Sequence, residues 1–446
     1  MSRQGPLALV LGALVLLAGC GGGGSLLGTP TPGPGQPTPG PGQPSGGPIA
    51  LPTPGGPLIL PTPAPGQPAG GAPAWIAPGV RLTWYVAAAS VAQSRYSFVE
   101  EACTPSSWRT QDGKCYRRTD ESGEGQGGGS GDGYSQLDIV ALDGGRVSIN
   151  SDLYGIDHIN GVFLWTPIGG ASVDAQSLDG AWANPAELAR MAAQGVSGLQ
   201  VMRGPFPLGS NTFDSVALVS GLGTSAYQSY VYDLASGLLL SAQSSTAGAV
   251  SPVRAVGEAP PVGNTQLTMA RFVGLRTRSL PGSGAANPDW LARTSELTYT
   301  GIRNWTNPID PSSGNLNFDM SHIVALAAGG SNWANYSART LVPGLAVDTT
   351  MRGVAGATGP YWYSPAALAA VSAGQVLDSD PVTGERTTVF FVGQRGSGNQ
   401  AVTLETSLPG VTNRLTYDAT SGMLLAFESL QPATGMTTTM QLVGSR

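Results

Sequence analysis

The chain has 446 residues, of which 41% are apolar and only 11% are charged. It carries 22 Lys and Arg against 28 Asp and Glu, a formal net charge of −6, and Lys114 is its single lysine. This composition excludes nucleic acid as the main partner, because a phosphate backbone requires a stripe of basic residues. Charged residues make up roughly a quarter of an ordinary globular protein, so neutral polar residues and glycine must cover most of this surface.

Residues 1–20 are predicted to be a secretory signal peptide. Arg3 supplies the positive start, and the apolar run from Leu7 to Ala18 is too short to span a bilayer. Residues 17–20 read LAGC, which resembles the lipobox of bacterial lipoproteins. The resemblance implies that Cys20 is acylated and becomes the mature N-terminus. An ordinary signal peptide with an incidental cysteine is the alternative.

The predicted lipid determines where the protein is expected. Two or three acyl chains hold a protein stably on a membrane. We therefore expect a cell-envelope lipoprotein whose membrane contact is its N-terminal lipid anchor. Gly21 follows the cysteine where an aspartate would indicate the inner membrane, so the outer membrane or cell surface is favoured.

Residues 21–74 are predicted to be a disordered linker. They contain 16 Pro and 16 Gly and no charged or aromatic side chain. Such a segment cannot bury enough apolar surface to offset the entropy of ordering it. We interpret it as a spacer that holds the folded part clear of the membrane, with a Pro-rich docking ligand as the alternative.

Residues 75–446 are predicted to fold into a mainly β (α+β) structure. Alternating runs such as 136–142, 213–219 and 413–417 are typical of half-buried antiparallel strands joined by hairpins. Five short segments also recur in the same order in both halves, for example YDLASGLL at 232–239 and YDATSGML at 417–424. This recurrence predicts two tandem repeat units, residues 75–280 and residues 281–446.

Each repeat unit is predicted to contain one short helix, opening in WANPAEL at 182–188 and in WYSPAAL at 362–368. Asn184 and Ser364 are N-caps followed by a proline at the first helical position. Gly195 and Gly374 stand about ten residues later, where a glycine commonly ends a helix. Each unit is therefore expected to be a curved antiparallel sheet, or half-barrel, with a short helix packed on it.

A lipid-anchored β protein with this helix opening and this Y-D-x-x-S-G hairpin resembles the lipid carriers of the LolA and LppX type. In those carriers an open half-barrel covered by short helices holds acyl chains. The chain departs from that pattern because it has two units where those carriers usually have one. The resemblance implies that Trp182, Leu188, Trp362 and Leu368 lie near a cavity mouth or under a helical lid.

Cys103 and Cys115 lie within residues 101–133, an insertion that the second unit lacks. In an exported protein we expect them to form a disulfide, since closing so short a loop is stabilising. A metal site is the alternative, but neither histidine is close in sequence. We expect no metal and no other cofactor, and we interpret the Gly-rich residues 123–133 as a mobile loop.

His158 and His322 are the only histidines, and the chain has no G-x-S-x-G nucleophile elbow. Residues 322–330 align by sequence with residues 138–145, which places His322 at the position of Asp138, so neither histidine recurs in the other unit. Structural or surface roles are predicted for both. No catalytic residue is assigned.

The acidic segment 378–384, DSDPVTG, is predicted to be a hairpin turn. A calcium loop is the alternative, but the segment lacks the further oxygen ligands of such a loop. A pair of carboxylates for glycoside hydrolysis, distant in sequence, stays open because no particular pair is indicated.

Nine Trp and 13 Tyr are mostly expected in cores and rims of the sheets. The functional interpretation is that one group lines an apolar or sugar-stacking site. That group comprises Trp165, Trp182, Tyr361, Trp362 and Tyr363.

Three functions are therefore considered. The first is a non-enzymatic lipoprotein that binds a hydrophobic ligand such as a lipid, which a cavity between helix and sheet would support. The second is a surface-displayed module for protein or glycan partners, which a broad exposed aromatic patch would support. The third is a hydrolase, which two facing carboxylates in a cleft would support.

Overall fold

A computed structural model of the chain describes residues 73–93, 97–102, 108–109, 115–119, 127–157, 162–175, 177–221, 226–247, 263–282, 285–306, 315–342, 345–355, 360–394, 398–432 and 435–446. Cys20, Cys103 and His158 lie outside these residues, as do the side chains of Cys115 and Trp165. The lipidation, the linker and the disulfide therefore stay predictions.

The described residues in the first half of the chain form twelve strands. They are β1 (Val80–Gln93), β2 (Ser97–Glu101), β3 (Trp108–Arg109), β4 (Cys115–Thr119), β5 (Gly127–Asp143), β6 (Arg146–Asp157), β7 (Val162–Asp174), β8 (Gln200–Leu208), β9 (Asn211–Ser220), β10 (Ala226–Asp233), β11 (Leu239–Ala247) and β12 (Gly263–Thr277). Nine of them form one antiparallel sheet, sheet 1, in the order β7-β6-β5-β1-β12-β11-β10-β9-β8. β2, β4 and β3 form a separate small sheet between β1 and β5 in the chain. Helix α1 (Pro185–Gln194) follows β7.

The described residues in the second half form ten strands. They are β13 (Glu296–Thr306), β14 (Asn315–Ala328), β15 (Trp333–Val342), β16 (Leu345–Ala355), β17 (Val376–Ser379), β18 (Arg386–Gln394), β19 (Gln400–Leu408), β20 (Val411–Asp418), β21 (Leu424–Gln431) and β22 (Met436–Ser445). All ten form sheet 2, in the order β16-β15-β14-β13-β22-β21-β20-β19-β18-β17. Helix α2 (Pro365–Ala369) follows β16. The mainly β class with two antiparallel sheets is therefore confirmed.

The two sheets repeat the same topology. In each sheet the first strand of the unit pairs with the last. Outward from the first strand three strands follow in chain order, and outward from the last strand the others follow in reverse chain order, with β17 as one additional edge strand in sheet 2. Trp84 of β1 pairs with Phe272, and Tyr299 of β13 pairs with Leu442, and each pair directly follows a β-bulge. Strand order and register thus agree with the internal duplication that the sequence predicts.

The register corrects one alignment made from sequence. Tyr299 of unit 2 is equivalent to Trp84 of unit 1. Tyr299 pairs with His322, and Trp84 pairs with Ser135. His322 therefore corresponds to Ser135 and not to Asp138, so the match of residues 322–330 with residues 138–145 is shifted by three positions. A shift by an odd number of positions exchanges the two faces of a strand, and the IVAL sequence fits either register because all four of its residues are apolar.

In each sheet one face carries the core. Leu82, Trp84 and Val86 of β1 lie in the core of unit 1, and the alternating Arg81 and Thr83 lie on the opposite face. We call these two sides the core face and the outer face. In unit 2, α2 and the core face of sheet 2 contribute to a second core.

Each helix begins beside a hairpin of its own sheet. The Ala183 N–H donates to the Gly237 carbonyl at 2.8 Å, and the Tyr363 N–H donates to the Gly422 carbonyl at 2.8 Å. The side chain of Asn184 caps α1 by accepting the Ala186 N–H at 2.9 Å. The two units therefore use the same contact to hold helix against hairpin.

Helix α2 is shorter than its sequence indicates. It ends at Ala369, whereas Gly374 was the predicted end, and Val371 beyond it is buried in the core. The Gly374 N–H donates instead to the Val389 carbonyl on β18 at 2.7 Å. Pairing with the sheet replaces the second turn of the helix, whereas α1 extends to its predicted end before Gly195.

The Gly-rich insertion is also partly different from the prediction. Residues 127–133 are strand and not loop, because they begin β5 and pair with β1. Backbone hydrogen bonds to a long neighbouring strand need no side chains, so glycine is compatible with this pairing.

The close contact between the 417–424 hairpin and the segment before α2 predicts that a methyl group added at Gly422 will lower the stability of the protein strongly. Gly422 has φ +74°, and a Cβ there would lie 1.9 Å from the Tyr363 carbonyl oxygen. Gly422→Ala is expected to destabilise the protein by about 1–3 kcal/mol, since the left-handed residue is strained and the helix must move. Gly398, with φ +81° and nothing within 4 Å of its Cβ position, is the matched control. Urea denaturation should show a smaller loss for Gly398→Ala, and equal losses would refute the close-contact argument.

Candidate functional site

A cavity of about 520 Å³ lies between the two units, and we call it the interunit cavity. One wall is the outer face of sheet 1, from which Arg81, Gln136, Asp138, Asn150 and Asp152 reach it. The other walls are the core face of sheet 2 and the segment before α2. Pockets of 300–1,000 Å³ typically hold small organic ligands.

The sheet 2 side of the cavity is mainly apolar and aromatic. Leu404, Leu415, Phe427 and Met440 lie in register with one another on β19, β20, β21 and β22. Tyr299, Tyr336 and Tyr417 line the cavity as well. Because neighbours in register point to the same face, the sequence of each strand contributes one side chain to a continuous apolar row.

The unit 1 wall is polar and its charges are largely paired. Arg81, 3% exposed, donates to both carboxylate oxygens of Asp138 at 2.6 and 2.7 Å. It also forms a short ion pair with Glu385 of unit 2. Arg278 donates to Asp138 at 3.1 Å. Bidentate pairs of this kind fix geometry strongly when they are buried.

A second ion-pair group joins the units beside the cavity. Arg276 of unit 1 donates to both oxygens of Asp378 at 2.8 Å and lies 3.2 Å from Asp380. Asp378 lies in β17 and Asp380 directly follows it, at the start of the turn to β18, where the Gly384 N–H donates to the Asp380 carbonyl at 2.9 Å. The acidic segment 378–384 is thus a hairpin turn, and its carboxylates bind arginine.

Two aspartates of the cavity wall have opposite pKa shifts. Burial alone would raise the pKa of Asp138, but Arg81 and Arg278 outweigh it and lower this pKa to about 2. Burial raises the pKa of Asp152 to about 7, and the negative charge of Asp138 adds to the effect. Asp152 makes no hydrogen bond or ion pair with another described residue. Of these two aspartates, Asp152 is therefore the one whose protonation changes near neutral pH.

His322 is a buried structural group at the same cavity. Its Nδ1 lies 2.8 Å from the Thr340 hydroxyl and its Nε2 lies 2.8 Å from the Tyr361 hydroxyl. Burial lowers the pKa of His322 to about 4, so the ring is neutral at pH 7. A neutral ring bonded on both nitrogens positions Tyr361 and has no free nitrogen for catalysis.

The structure separates the residues that the sequence grouped together. Tyr361 and Tyr363 line the interunit cavity. Trp362 and Leu368 are buried in the core of unit 2 and do not line it. Successive side chains of an extended segment point to opposite sides, so Trp362 points into the core of unit 2 while Tyr361 and Tyr363 on either side of it reach the cavity.

Trp182 and Leu188 of unit 1 also lie in a core. Trp182 is 2% exposed and donates through Nε1 to the Ser236 carbonyl at 2.8 Å, and Leu188 is fully buried. Around them Trp84 and Phe272 pack edge to face with ring centroids 5.8 Å apart. Trp182 and Leu188 therefore pack in the core of unit 1 and do not line the interunit cavity. For Trp165, only the backbone in β7 is described.

Sequence reasoning missed the charged residues of the cavity, because Arg81, Asp152 and Glu385 carry no motif. One signal was present in β1, where Arg81 and Thr83 alternate with apolar residues on a strand in the middle of a sheet. A polar outer face can also simply meet water. Only the packing of unit 2 against that face turns it into a cavity wall.

The site gives little support to the other chemistries. Both oxygens of Asp138 are bound by Arg81, so Asp138 and Asp152 do not form a free pair of carboxyls for hydrolysis. The described residues contain no group of three His, Cys, Asp or Glu that could hold a metal ion. The single large exposed aromatic side chain among them is Phe390, and Arg414 stacks on its ring at 4.2 Å.

Comparison with known proteins adds no relative. The chain matches no protein-family model, and it matches no curated protein sequence. In the described part of the chain, no helix is both long and apolar enough to cross a membrane. The class that fold and site together define is thus a duplicated antiparallel β protein with a ligand-sized cavity between its two units.

Proposed function

We propose that the protein is a non-enzymatic, membrane-anchored lipoprotein that binds a hydrophobic ligand such as a lipid in the interunit cavity. The observation that supports this proposal is the apolar row of sheet 2, which borders a cavity of about 520 Å³. Apolar side chains that face a cavity gain free energy when an apolar ligand replaces water. The proposal includes a half-barrel shape for unit 2, with Tyr361 and Tyr363 beneath the helix that closes it.

The anchor and the linker fit this function. A lipid on Cys20 would hold the protein at a membrane, and a spacer of residues 21–74 would let the folded part reach ligands at a distance from it. The proposal places the protein in the cell envelope, with the outer membrane or the surface favoured. The charged wall contributed by unit 1 would close the cavity without itself contacting the acyl part of the ligand.

The test uses residues 20–446 with Cys20→Ala, exported behind an ordinary cleavable signal peptide, which we call the unacylated chain. Native mass spectrometry of this chain should show a discrete adduct of lipid mass that organic extraction removes. Ala338 lines the cavity from β15 and is 6% exposed, so Ala338→Phe should fill the space and abolish the adduct.

The control adds similar bulk outside the cavity. Val392 is 36% exposed on β18, so Val392→Phe should keep the adduct. A bare mass for the unacylated chain, with no lipid taken up on later exposure, would contradict the proposal. So would an adduct that Ala338→Phe leaves unchanged.

A further inference from the structure

The core face of sheet 2 carries a polar row where such a face is normally apolar, and four of its six members line the interunit cavity. Thr387, Thr406, Asn413, Ser429, Thr438 and Arg303 are register neighbours across β18, β19, β20, β21, β22 and β13. Two positions further along β19 to β22, the apolar row begins with Leu404. The core face of sheet 2 is therefore divided into a polar part and an apolar part, as a binding site for an amphiphile would be.

Arg303 is the residue of this row whose charge lacks a partner. It lines the cavity, is partly buried, and donates from Nε to the Thr438 hydroxyl at 3.2 Å. It makes no ion pair with any carboxylate in the described part of the chain. Burial lowers the pKa of Arg303, and no carboxylate counteracts the effect. A guanidinium cannot give up its proton at physiological pH, so partial burial without an anion is costly.

The other charged groups of the cavity do not supply that anion. Asp138 and Glu385 are bound by Arg81, and Arg278 is a further partner of Asp138. Below about pH 7, where Asp152 is mostly protonated, the lining carries three arginines and two carboxylates, so 3 − 2 leaves one positive charge. Trp84 of unit 1 is equivalent to Tyr299 of unit 2, since each directly follows the β-bulge of its strand. Ala88 lies four residues after Trp84 and Arg303 lies four residues after Tyr299, so Ala88 occupies the position in unit 1 that Arg303 has in unit 2. The unpaired arginine of this row therefore has no counterpart at the equivalent position of unit 1.

We propose that the ligand of the interunit cavity is an amphiphile with one anionic head group, a carboxylate or a phosphate, and that Arg303 binds this head group. The Thr438 hydroxyl accepts the hydrogen bond from the Arg303 Nε and so orients the guanidinium. The tail lies along Leu404, Leu415, Phe427 and Met440. This inference rests on the proposed function and adds the class of ligand.

The test measures calorimetric binding of four ten-carbon probes to the unacylated chain, each below its micelle-forming concentration. They are decanoate, decyl phosphate, decanol and decylamine. At least one anionic probe should bind at least about tenfold more tightly than decanol, as expected for a charge-assisted contact. Decylamine should bind more weakly than both that anionic probe and decanol. Comparison of decanoate with decyl phosphate identifies which anion the site prefers.

Variants assign the preference to Arg303. Arg303→Met should lower the affinity for the anionic probe about tenfold and leave decanol binding unchanged, which also shows that the variant is folded. Arg303→Lys should retain part of the preference. Arg414 on the outer face of sheet 2 is bound by Glu405 and Glu428, so Arg414→Met is the matched control and should change nothing.

The outcomes separate this inference from the proposed function. Equal affinity for decanol and the anions, stronger binding of decylamine, or an unchanged anion affinity in Arg303→Met would overturn the inference and leave a hydrophobic-ligand protein. Absence of binding by all four probes would overturn both proposals.

Discussion

Arg81→Met is expected to be among the most destabilising single substitutions in the described part of the chain, with a loss of about 3–5 kcal/mol at pH 7. Its side chain is 4% exposed and pairs with Asp138 and Glu385, whose side chains are 15% and 10% exposed. Removal of the guanidinium leaves Glu385 without a hydrogen-bonded cation among the described residues, and its remaining side-chain donor there is the Gln136 amide at 3.4 Å. A buried carboxylate without a cation must either stay charged at a cost or take up a proton.

The matched control has the same contact on the surface. Arg203 binds both oxygens of Asp214 at 3.1 and 2.6 Å, but the two side chains are 57% and 55% exposed. Solvent screens such a pair, so Arg203→Met should change the urea midpoint little. Similar midpoints for the two variants would show that burial does not determine the strength of the Arg81 contacts. The loss in Arg81→Met should also diminish toward pH 4, where protonation relieves the stranded carboxylates.

Two groups at the cavity should give opposite pH dependences of stability between about pH 4 and 6.5. For His322 the folded pKa of about 4 is below the ordinary value, so its contribution is lost as pH falls through this window. For Asp152 the folded pKa of about 7 is above the ordinary carboxyl value, so stability is lost as pH rises toward 7. At 1.36 kcal/mol per pKa unit, the two effects are each at most about 3–4 kcal/mol and nearly cancel.

Single variants should reveal each slope. Asp152→Asn removes the loss of stability that ionisation of Asp152 causes at higher pH, which leaves the effect of His322. The unfolding free energy of this variant should therefore rise from pH 4.5 to 6.5 and exceed that of the parent protein at pH 8. His322→Gln should show the reverse slope, falling from pH 4.5 to 7. Urea denaturation at pH 4.5, 6.5 and 8 measures both. Parallel pH profiles for the parent and the two variants would refute the assignment of these slopes to Asp152 and His322.

The sequence was sufficient for much of the fold. Alternation of apolar residues predicted strands within β5, β9 and β20, and the structure contains all three. The N-caps at Asn184 and Ser364 predicted where both helices begin, because capping depends on residues close in sequence. The recurring segments predicted a duplication, which the matching strand order of sheets 1 and 2 supports.

The same reasoning failed where long-range contacts decide the structure. Residues 127–133 look like a loop by composition but pair with β1, and α2 ends early because Gly374 bonds to β18. The sequence aligns His322 with Asp138 because IVAL is a continuous apolar run, which is compatible with registers that place either face in the core. Local propensity is a weak determinant when a neighbouring strand offers hydrogen bonds.

The sequence by itself determined the composition, the predicted anchor and linker, the mainly β class, the duplication and the helix starts. The tertiary structure decided which aromatic residues face a cavity, and it assigned Trp182 and Trp362 to cores while Tyr361 and Tyr363 reach the cavity. It also brought Arg81, Asp152 and Glu385 to one cavity, although 304 positions separate Arg81 from Glu385 in the chain. The physical reason is that alternation and capping are local, whereas the face against which a second sheet packs depends on contacts between distant segments.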